Sequence, residues 1–261
     1  MNCLHCQSRM STPFRWTDLF TFSIFRANPL LPVAEWLCFN CQNQIKWLEK
    51  ELCPICSRQL DSLDSTFIRK HKEQTICYDC YRWKLWEEQM GMGMILEKNV
   101  SAVSYTPIVQ EWMEQFKYRK DTRLAYFLAS LIVNKALPRL DREEMDMILP
   151  IPLSAMRARE RGFNQAERLA DCLASALQLE VTSDILTMKD DLFKQSKKSR
   201  DERLAEMLKK FLKNQQSQVD IYKKRVLLLD DVYTTGATLY AAAFILRQEG
   251  AATVTSLTLA R

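Results

Sequence analysis

Eight of the nine cysteines stand in four Cys-x-x-Cys pairs: Cys3/Cys6, Cys38/Cys41, Cys53/Cys56 and Cys77/Cys80. Two intervening residues make a tight turn that points both sulfurs at one tetrahedral ion, and a second turn completes four thiolates. Four pairs therefore predict two tetrathiolate Zn²⁺ sites. In a reducing compartment this spacing reads as metal rather than disulfide. Sequential pairing, Cys3/Cys6 with Cys38/Cys41 and Cys53/Cys56 with Cys77/Cys80, is the favoured reading. Crossed pairing closes longer loops, and loop entropy separates the two only weakly. His5 sits inside the first turn as a further donor, but four cysteines already fill the shell. The ninth cysteine, Cys172, falls in a predicted helix and reads as a small packing residue.

A hydrophobic share of 47% with 26% charged residues excludes a disordered or collagenous chain. The longest apolar run, Leu124 to Val133, contains Ser130 and falls short of the ~20 residues that span a bilayer. The first residues lack the basic flank and apolar stretch of a secretory signal, so a cytoplasmic protein is expected. With five glycines and two histidines there is no Gly-rich dinucleotide or Walker-type loop, and His-centred catalysis is nearly excluded. Each zinc tetrathiolate carries −2, so two of them lower the formal net charge of +5 by four. Global charge then gives no reason to expect nucleic acid. Local charge does: residues 189 to 213 hold nine basic side chains (Lys189, Lys194, Lys197, Lys198, Arg200, Arg203, Lys209, Lys210, Lys213) against five acidic. Such a stripe can track a phosphate backbone, although a solvated helix face is the commoner use of it.

Two units are expected. Residues 1–88 carry the cysteine turns and five of the six tryptophans (Trp16, Trp36, Trp47, Trp83, Trp86), and a segment this short relies on metal closure to fold. Trp83 and Trp86, with Tyr78 and Tyr81, serve either as small-domain core or as a platform for bases or a protein partner. Gln89 to Gly93 reads as a hinge. Residues 89–261 then alternate strands and helices, the signature of an α/β fold with a mainly parallel sheet. Strands are predicted at Ser101–Tyr105, Met147–Pro150, Arg225–Leu229 and Thr253–Leu259. Helices are predicted at Pro107–Tyr118, Arg123–Leu137, Gly162–Leu179, Asp201–Leu212 and Leu239–Gln248.

The most informative run is Arg225-Val-Leu-Leu-Leu-Asp230-Asp231-Val-Tyr-Thr234-Thr235-Gly236-Ala237-Thr238. Its apolar residues suit a central parallel strand buried on both faces. Two carboxylates stand at the strand's carboxyl end, where open α/β sheets bind ligands. The following turn aims backbone N–H groups, threonine hydroxyls and a helix N-terminus at one spot, with Gly236 leaving room for a ligand oxygen. A ribose 5-phosphate fits: its diol on Asp230 and Asp231, its phosphate in Thr234–Thr238.

This run resembles the binding motif of type I phosphoribosyltransferases and matches it at every position. The resemblance implies that Asp230 and Asp231 hold the ribose hydroxyls of phosphoribosyl pyrophosphate (PRPP). It assigns the 5-phosphate to Thr234, Thr235, Gly236, Ala237 and Thr238, and implies Mg²⁺ riding on the pyrophosphate and ribose oxygens. Leu149-Pro-Ile-Pro-Leu153, Arg157, Arg159, Arg161-Gly-Phe-Asn-Gln165 and Phe116-Lys-Tyr-Arg-Lys-Asp121 are in addition similar to the ComF family of competence-associated proteins. The chain departs from that pattern at Lys120, where Gly is usual, and at Met207, where Asn is usual; Gln195, Arg200 and Arg203 are kept. Arg157 and Arg161, one helical turn apart, and Lys117 are the candidates for pyrophosphate, since guanidiniums bind two oxygens at once. The family resemblance implies a double zinc ribbon before a type I phosphoribosyltransferase domain, and a role in natural transformation. There it would handle single-stranded DNA in the cytoplasm with a ComFA-type helicase. Whether the site transfers phosphoribosyl to an acceptor, as a glycosyltransferase-class enzyme, or serves as a ligand-gated adaptor stays open at this point.

Overall fold

A computed structural model describes residues 2–10, 30–91, 93–118, 122–190 and 208–261. The cysteine-rich part contributes α1 (Val33–Trp36), α2 (Phe39–Gln42), β1 (Ile68–His71), β2 (Gln74–Cys77) and α3 (Tyr78–Met90). The remainder contributes β3 (Asn99–Val103), α4 (Pro107–Tyr118), α5 (Thr122–Lys135), β4 (Met147–Pro150), α6 (Ala155–Arg161), α7 (Gln165–Leu177) and β5 (Glu180–Val181). After these come β6 (Leu186–Met188), β7 (Phe211–Lys213), β8 (Arg225–Val232), α8 (Ala237–Gln248) and β9 (Thr253–Ala260).

Five strands form one sheet in the order β3-β9-β8-β4-β5, and every neighbouring pair is parallel. Alternation along β8 explains why its apolar run is unbroken. Leu227 and Leu229 enter the core shared with α4, α5 and α7, whereas Val226 and Leu228 enter the core shared with α8. From β4 the chain proceeds to β5 at one edge, and from β8 to β9 on the other side. The β4/β8 boundary is therefore the topological switch point, the place where the carboxyl ends of such sheets leave a crevice.

The two cysteine clusters flank this sheet. Cys3, Val33, Leu37, Cys41 and Ile45 join the core on the α4/α5 face, and Cys53, Ile55, Cys56, Ile76, Cys77, Cys80 and Trp83 join the core on the α8 face. The chain between them covers the free edge of β3. Trp47 bridges Val103 in antiparallel fashion, Leu48 N donates to Ala102 O at 3.1 Å, and Ser104 N donates to Lys46 O at 2.8 Å. An open strand edge is thereby closed by the segment that links the clusters. The hinge expected at Gln89–Gly93 begins later: Gln89 and Met90 are still helical, and α3 is terminated by Gly91 at φ 65°.

Sequence periodicity places α4 and β4 at their observed bounds. β8 runs three residues beyond the expected Leu229, so Asp230 and Asp231 belong to the strand itself and Val232 is its last rung, and β3 lies two residues earlier than expected. The helix predicted over Asp201–Leu212 is corrected at its end. Phe211 and Leu212 belong to β7, which pairs antiparallel with β6, Phe211 lying opposite Met188 and fully buried. The spacing Leu204, Met207, Leu208, Phe211 is helical, but burial of the Phe211 ring is met by a strand whose exposure alternates. Asp201 to Met207 lie outside the described residues. No helix among the described residues is long and apolar enough to cross a membrane.

Candidate functional site

Each cysteine cluster gathers four sulfurs within 4.8 Å of one another, Cys3/Cys6/Cys38/Cys41 and Cys53/Cys56/Cys77/Cys80, which is the sequential pairing. Backbone amides point at the sulfurs: Cys38 N donates to Cys3 Sγ at 3.3 Å and Cys77 N to Cys53 Sγ at 3.4 Å. Four thiolates in a tetrahedral set suit Zn²⁺. His5 is not a member; its ring packs edge-on against Trp112, centroids 6.0 Å apart.

A half-buried guanidinium lies near the second cluster's side of the Thr234–Thr238 loop. Arg261 follows β9, and its Nη1 donates to Thr234 O at 3.3 Å. Its charge lies 4.8 Å over the Tyr233 ring. Its buried Nε and Nη2 find no hydrogen-bond partner among the described residues. Burial alone would lower its pKa, but Cys56, Tyr233, Cys77 and Cys80 act on it electrostatically and the net direction is upward. The donor chemistry of the cluster itself, four sulfurs gathered with a backbone N–H aimed at one of them, is what suits a divalent ion. A divalent ion in four thiolates supplies a net −2 there, whereas four neutral thiols supply none.

At the switch point a cavity of about 300 Å³ is lined by Lys117, Arg157, Arg161, Asp230, Asp231, Thr234 and Thr238, together with Tyr105, Asn164 and Gln165 among others. Residues predicted from three separate stretches of sequence thus meet in one space. Lys117 Nζ lies 3.3 Å from Asp231 Oδ2, an ion pair on the wall of the cavity that it shares with Arg157 and Arg161. Arg161 Nη1 donates to Gln165 Oε1 at 2.8 Å. The Asn164 side chain accepts from Ala166 N, capping α7, and its Nδ2 donates to Ile151 O at 3.0 Å, tying that helix start to the end of β4. Asp230 Oδ1 accepts from Asp231 N at 2.8 Å. Desolvation first, and the charge of Asp231 second, push the Asp230 carboxyl up to about 8.

Between β8 and α8 the loop exposes Thr234, half-buries Thr235 and Thr238, and buries Gly236 and Ala237. Gly236 caps α8 at φ 85°. Its lack of a side chain has a structural reason different from the expected one. A Cβ there would lie 2.3 Å from the Tyr233 hydroxyl and 3.2 Å from Trp83 Nε1, so the space is taken by protein and not left for a ligand oxygen. Trp83 Nε1 also donates to Thr235 O at 3.0 Å, and its ring stacks on Tyr240 of α8 at 3.9 Å and 6°.

Nothing in the sequence marks Arg261, and Trp83 is legible only as one aromatic among several. Trp83 proves to be core, while Tyr78 is exposed. Tyr105, read as the end of a strand, is an exposed ring on the cavity wall. Of the basic stripe, Lys194, Lys197, Lys198, Arg200 and Arg203 lie outside the described residues, as do Trp16, Arg119, Lys120, Asp121 and Gln195. Lys213 is paired with Glu249 at 2.6 Å.

The chain matches no family model. It is 31% identical over 260 residues to Competence protein ComFC of Bacillus subtilis (strain 168), covering 99% of this chain and 94% of that protein. It is 29% identical over 261 residues to Competence protein ComFC of Streptococcus pneumoniae (strain ATCC BAA-255 / R6), covering 100% of both. DNA utilization protein YhgH of Escherichia coli (strain K12) is 25% identical over 228 residues, 84% of this chain and 93% of that protein.

Proposed function

This chain belongs to the ComF family of competence proteins, and from that premise we propose that it acts in natural transformation through a PRPP-binding domain of the type I phosphoribosyltransferase kind. Residues 1–88 form the double zinc ribbon and residues 89–261 the ligand-binding domain. Asp230 and Asp231 take the ribose hydroxyls, Thr234–Thr238 the 5-phosphate, and Arg157 and Arg161 the pyrophosphate. Lys117 holds Asp231 in place until the diol arrives. Mg²⁺ enters on the ligand and offsets its charge. The relatives' names, competence in two genera and DNA utilization in a third, support the cellular side of this reading. Single-stranded DNA and a ComFA-type helicase are the partners it calls for.

The observation that carries the molecular side is the convergence of the acid pair, Thr234 and Thr238 of the threonine loop, and both arginines on one cavity. Calorimetric titration of Mg²⁺-PRPP tests it. One equivalent binds wild type and none binds Asp230→Ala; equal binding by both proteins, or by neither, overturns the reading. On the DNA side, affinity for a single-stranded oligonucleotide falls steeply with salt, and a flat response counts against an electrostatic contact.

A second reading, transfer of phosphoribosyl to an acceptor, is favoured by one feature. A neighbouring cavity of about 330 Å³ shares Tyr105, Val232 and Thr234 with the first and adds Arg58, Gln59, Ser62 and Ser104. It offers room for an acceptor beside the ribose. Pyrophosphate release across a panel of bases and nucleosides decides between enzyme and adaptor.

A further inference from the structure

The threonine loop is held by residues that do not line its cavity. Trp83 and Tyr240 are absent from the cavity wall, yet one donates to the loop carbonyl of Thr235 and the other opens α8 with Tyr240 N bonded to Gly236 O at 2.8 Å. Trp83 lies one helical turn beyond Cys80, and Cys77 is the N-cap of the same helix. A metal that fixes Cys77 and Cys80 therefore fixes the first turn of α3, and the indole moves with that helix face. Arg261, the residue after β9, also donates to Thr234 O at 3.3 Å, but the structure bonds it to no cysteine of the second cluster among the described residues.

We infer that the second four-cysteine centre anchors the threonine loop, with Trp83 as the positioning residue that carries metal occupancy to the phosphate-binding backbone. The first centre has no such reach: its cysteines pack with Trp112 and Phe127 of α4 and α5, and none is bonded to the loop among the described residues. The ligand arm of this inference rests on the PRPP reading; the structural arm does not.

The test uses the zinc-loaded full chain and reads hydrogen exchange of the 234–238 amides, zinc content and Mg²⁺-PRPP affinity together. Trp83→Phe keeps the stack on Tyr240 but deletes the N–H. It should retain both zinc equivalents, speed loop exchange, and weaken the ligand about three- to tenfold, the effect of one hydrogen bond. Trp86→Phe, which alters the same aromatic cluster without touching Thr235, should leave loop exchange as it is. Stripping the metal with a chelator should deprotect the loop, and added Zn²⁺ should restore it. Should Trp83→Phe fail to fold, the chelation and Zn²⁺ re-addition arm on the folded wild type carries the same readout. Loop exchange unchanged in the variant or in the metal-stripped folded protein overturns the inference, as does Trp86→Phe giving the same deprotection as Trp83→Phe. Wild type that ignores PRPP sinks the functional reading instead, and the exchange rates then decide the anchor by themselves.

Discussion

The two cysteine centres are built to one plan and put to different use. In the first, Asn2 bridges Arg9, Cys3 N donates to Ser8 O at 2.8 Å, and Gln7 turns through φ 59°. In the second, fifty residues on, Leu52 bridges Gln59, Cys53 N donates to Arg58 O at 2.7 Å, and Ser57 turns through φ 59°. Each is completed by a pair at a helix start, Cys38 before α2 and Cys77 before α3. They differ in the length of those helices: α2 is four residues long and α3 is thirteen. The longer helix buries its cluster and extends far enough to reach the threonine loop, while Cys6 of the first cluster stays exposed and Cys38 half-exposed. A metal turn is thus a surface clip or a core pillar depending on the helix attached to it.

The sharpest way to break this comparison is to remove one ligand from each centre. All four thiols of the second are buried in the core that holds α8. Cys77→Ser should lose one zinc equivalent and either fail to fold or lose on the order of 10 °C in Tm, since metal binding here is folding energy. Cys6→Ser should cost only a few degrees. Equal losses measured by calorimetry and zinc assay would show that the centres are equivalent and the distinction empty.

The loop side can be probed from the ligand. With Asp230 raised to about 8 from an ordinary 3.8, the carboxyl is mostly protonated at neutral pH. A carboxylate accepts both ribose hydroxyls and a neutral acid does not, so PRPP should bind more tightly as pH rises through about 8. Stability should move the other way. The native state keeps a proton that the unfolded chain has already released, so this contribution is full below about 3.8 and is lost progressively up to about 8. Asp230→Asn should abolish both trends and bind about a hundredfold less tightly at pH 8.5, the loss of two charge-assisted hydrogen bonds. A variant that retains the wild-type pH profile would assign the titration elsewhere.

A smaller effect is expected at the junction of α3 with the loop. Gly236→Ala would push a methyl onto the Tyr233 ring at a left-handed φ of 85°. About 2 kcal/mol is expected, roughly 5 °C in Tm, with PRPP affinity falling alongside it. Loss of stability without loss of affinity would separate the packing of Tyr233 and Trp83 from the shape of the threonine loop.

How much of this could be read in advance depends on sequence distance. The cysteine spacing, the β8 run and the arginines after β4 are local signals; the first yields the two sulfur clusters, and the other two meet at one cavity. Contacts between distant residues leave no local trace. Trp83 and Thr235 are bonded across 152 positions, and neither residue's neighbours announce the other. The β1/β2 hairpin is equally silent. Its turn uses Lys72 at φ 55° where a glycine or asparagine would have signalled it. Gly236 is legible as a required glycine, but the group that requires it, the Tyr233 ring, emerges only from packing.

The mildest test concerns the exposed end of the comparison. The Ser8 hydroxyl, ahead of the Ser8 backbone, draws the Cys6 thiol down to about 6 from an ordinary 9.0. After metal is removed from the first centre, Cys6 is then a thiolate at pH 7 and should alkylate faster than any of the four buried cysteines of the second. Ser8→Ala removes the largest cause, so the pKa climbs and less thiolate remains at pH 7. The rate should fall only a few fold, because a more basic thiolate is also a better nucleophile and partly compensates. Mass spectrometry of iodoacetamide labelling against time reads this directly. Preferential labelling of Cys53 or Cys80 over Cys6 would invert the order of exposure on which the contrast between the two centres depends.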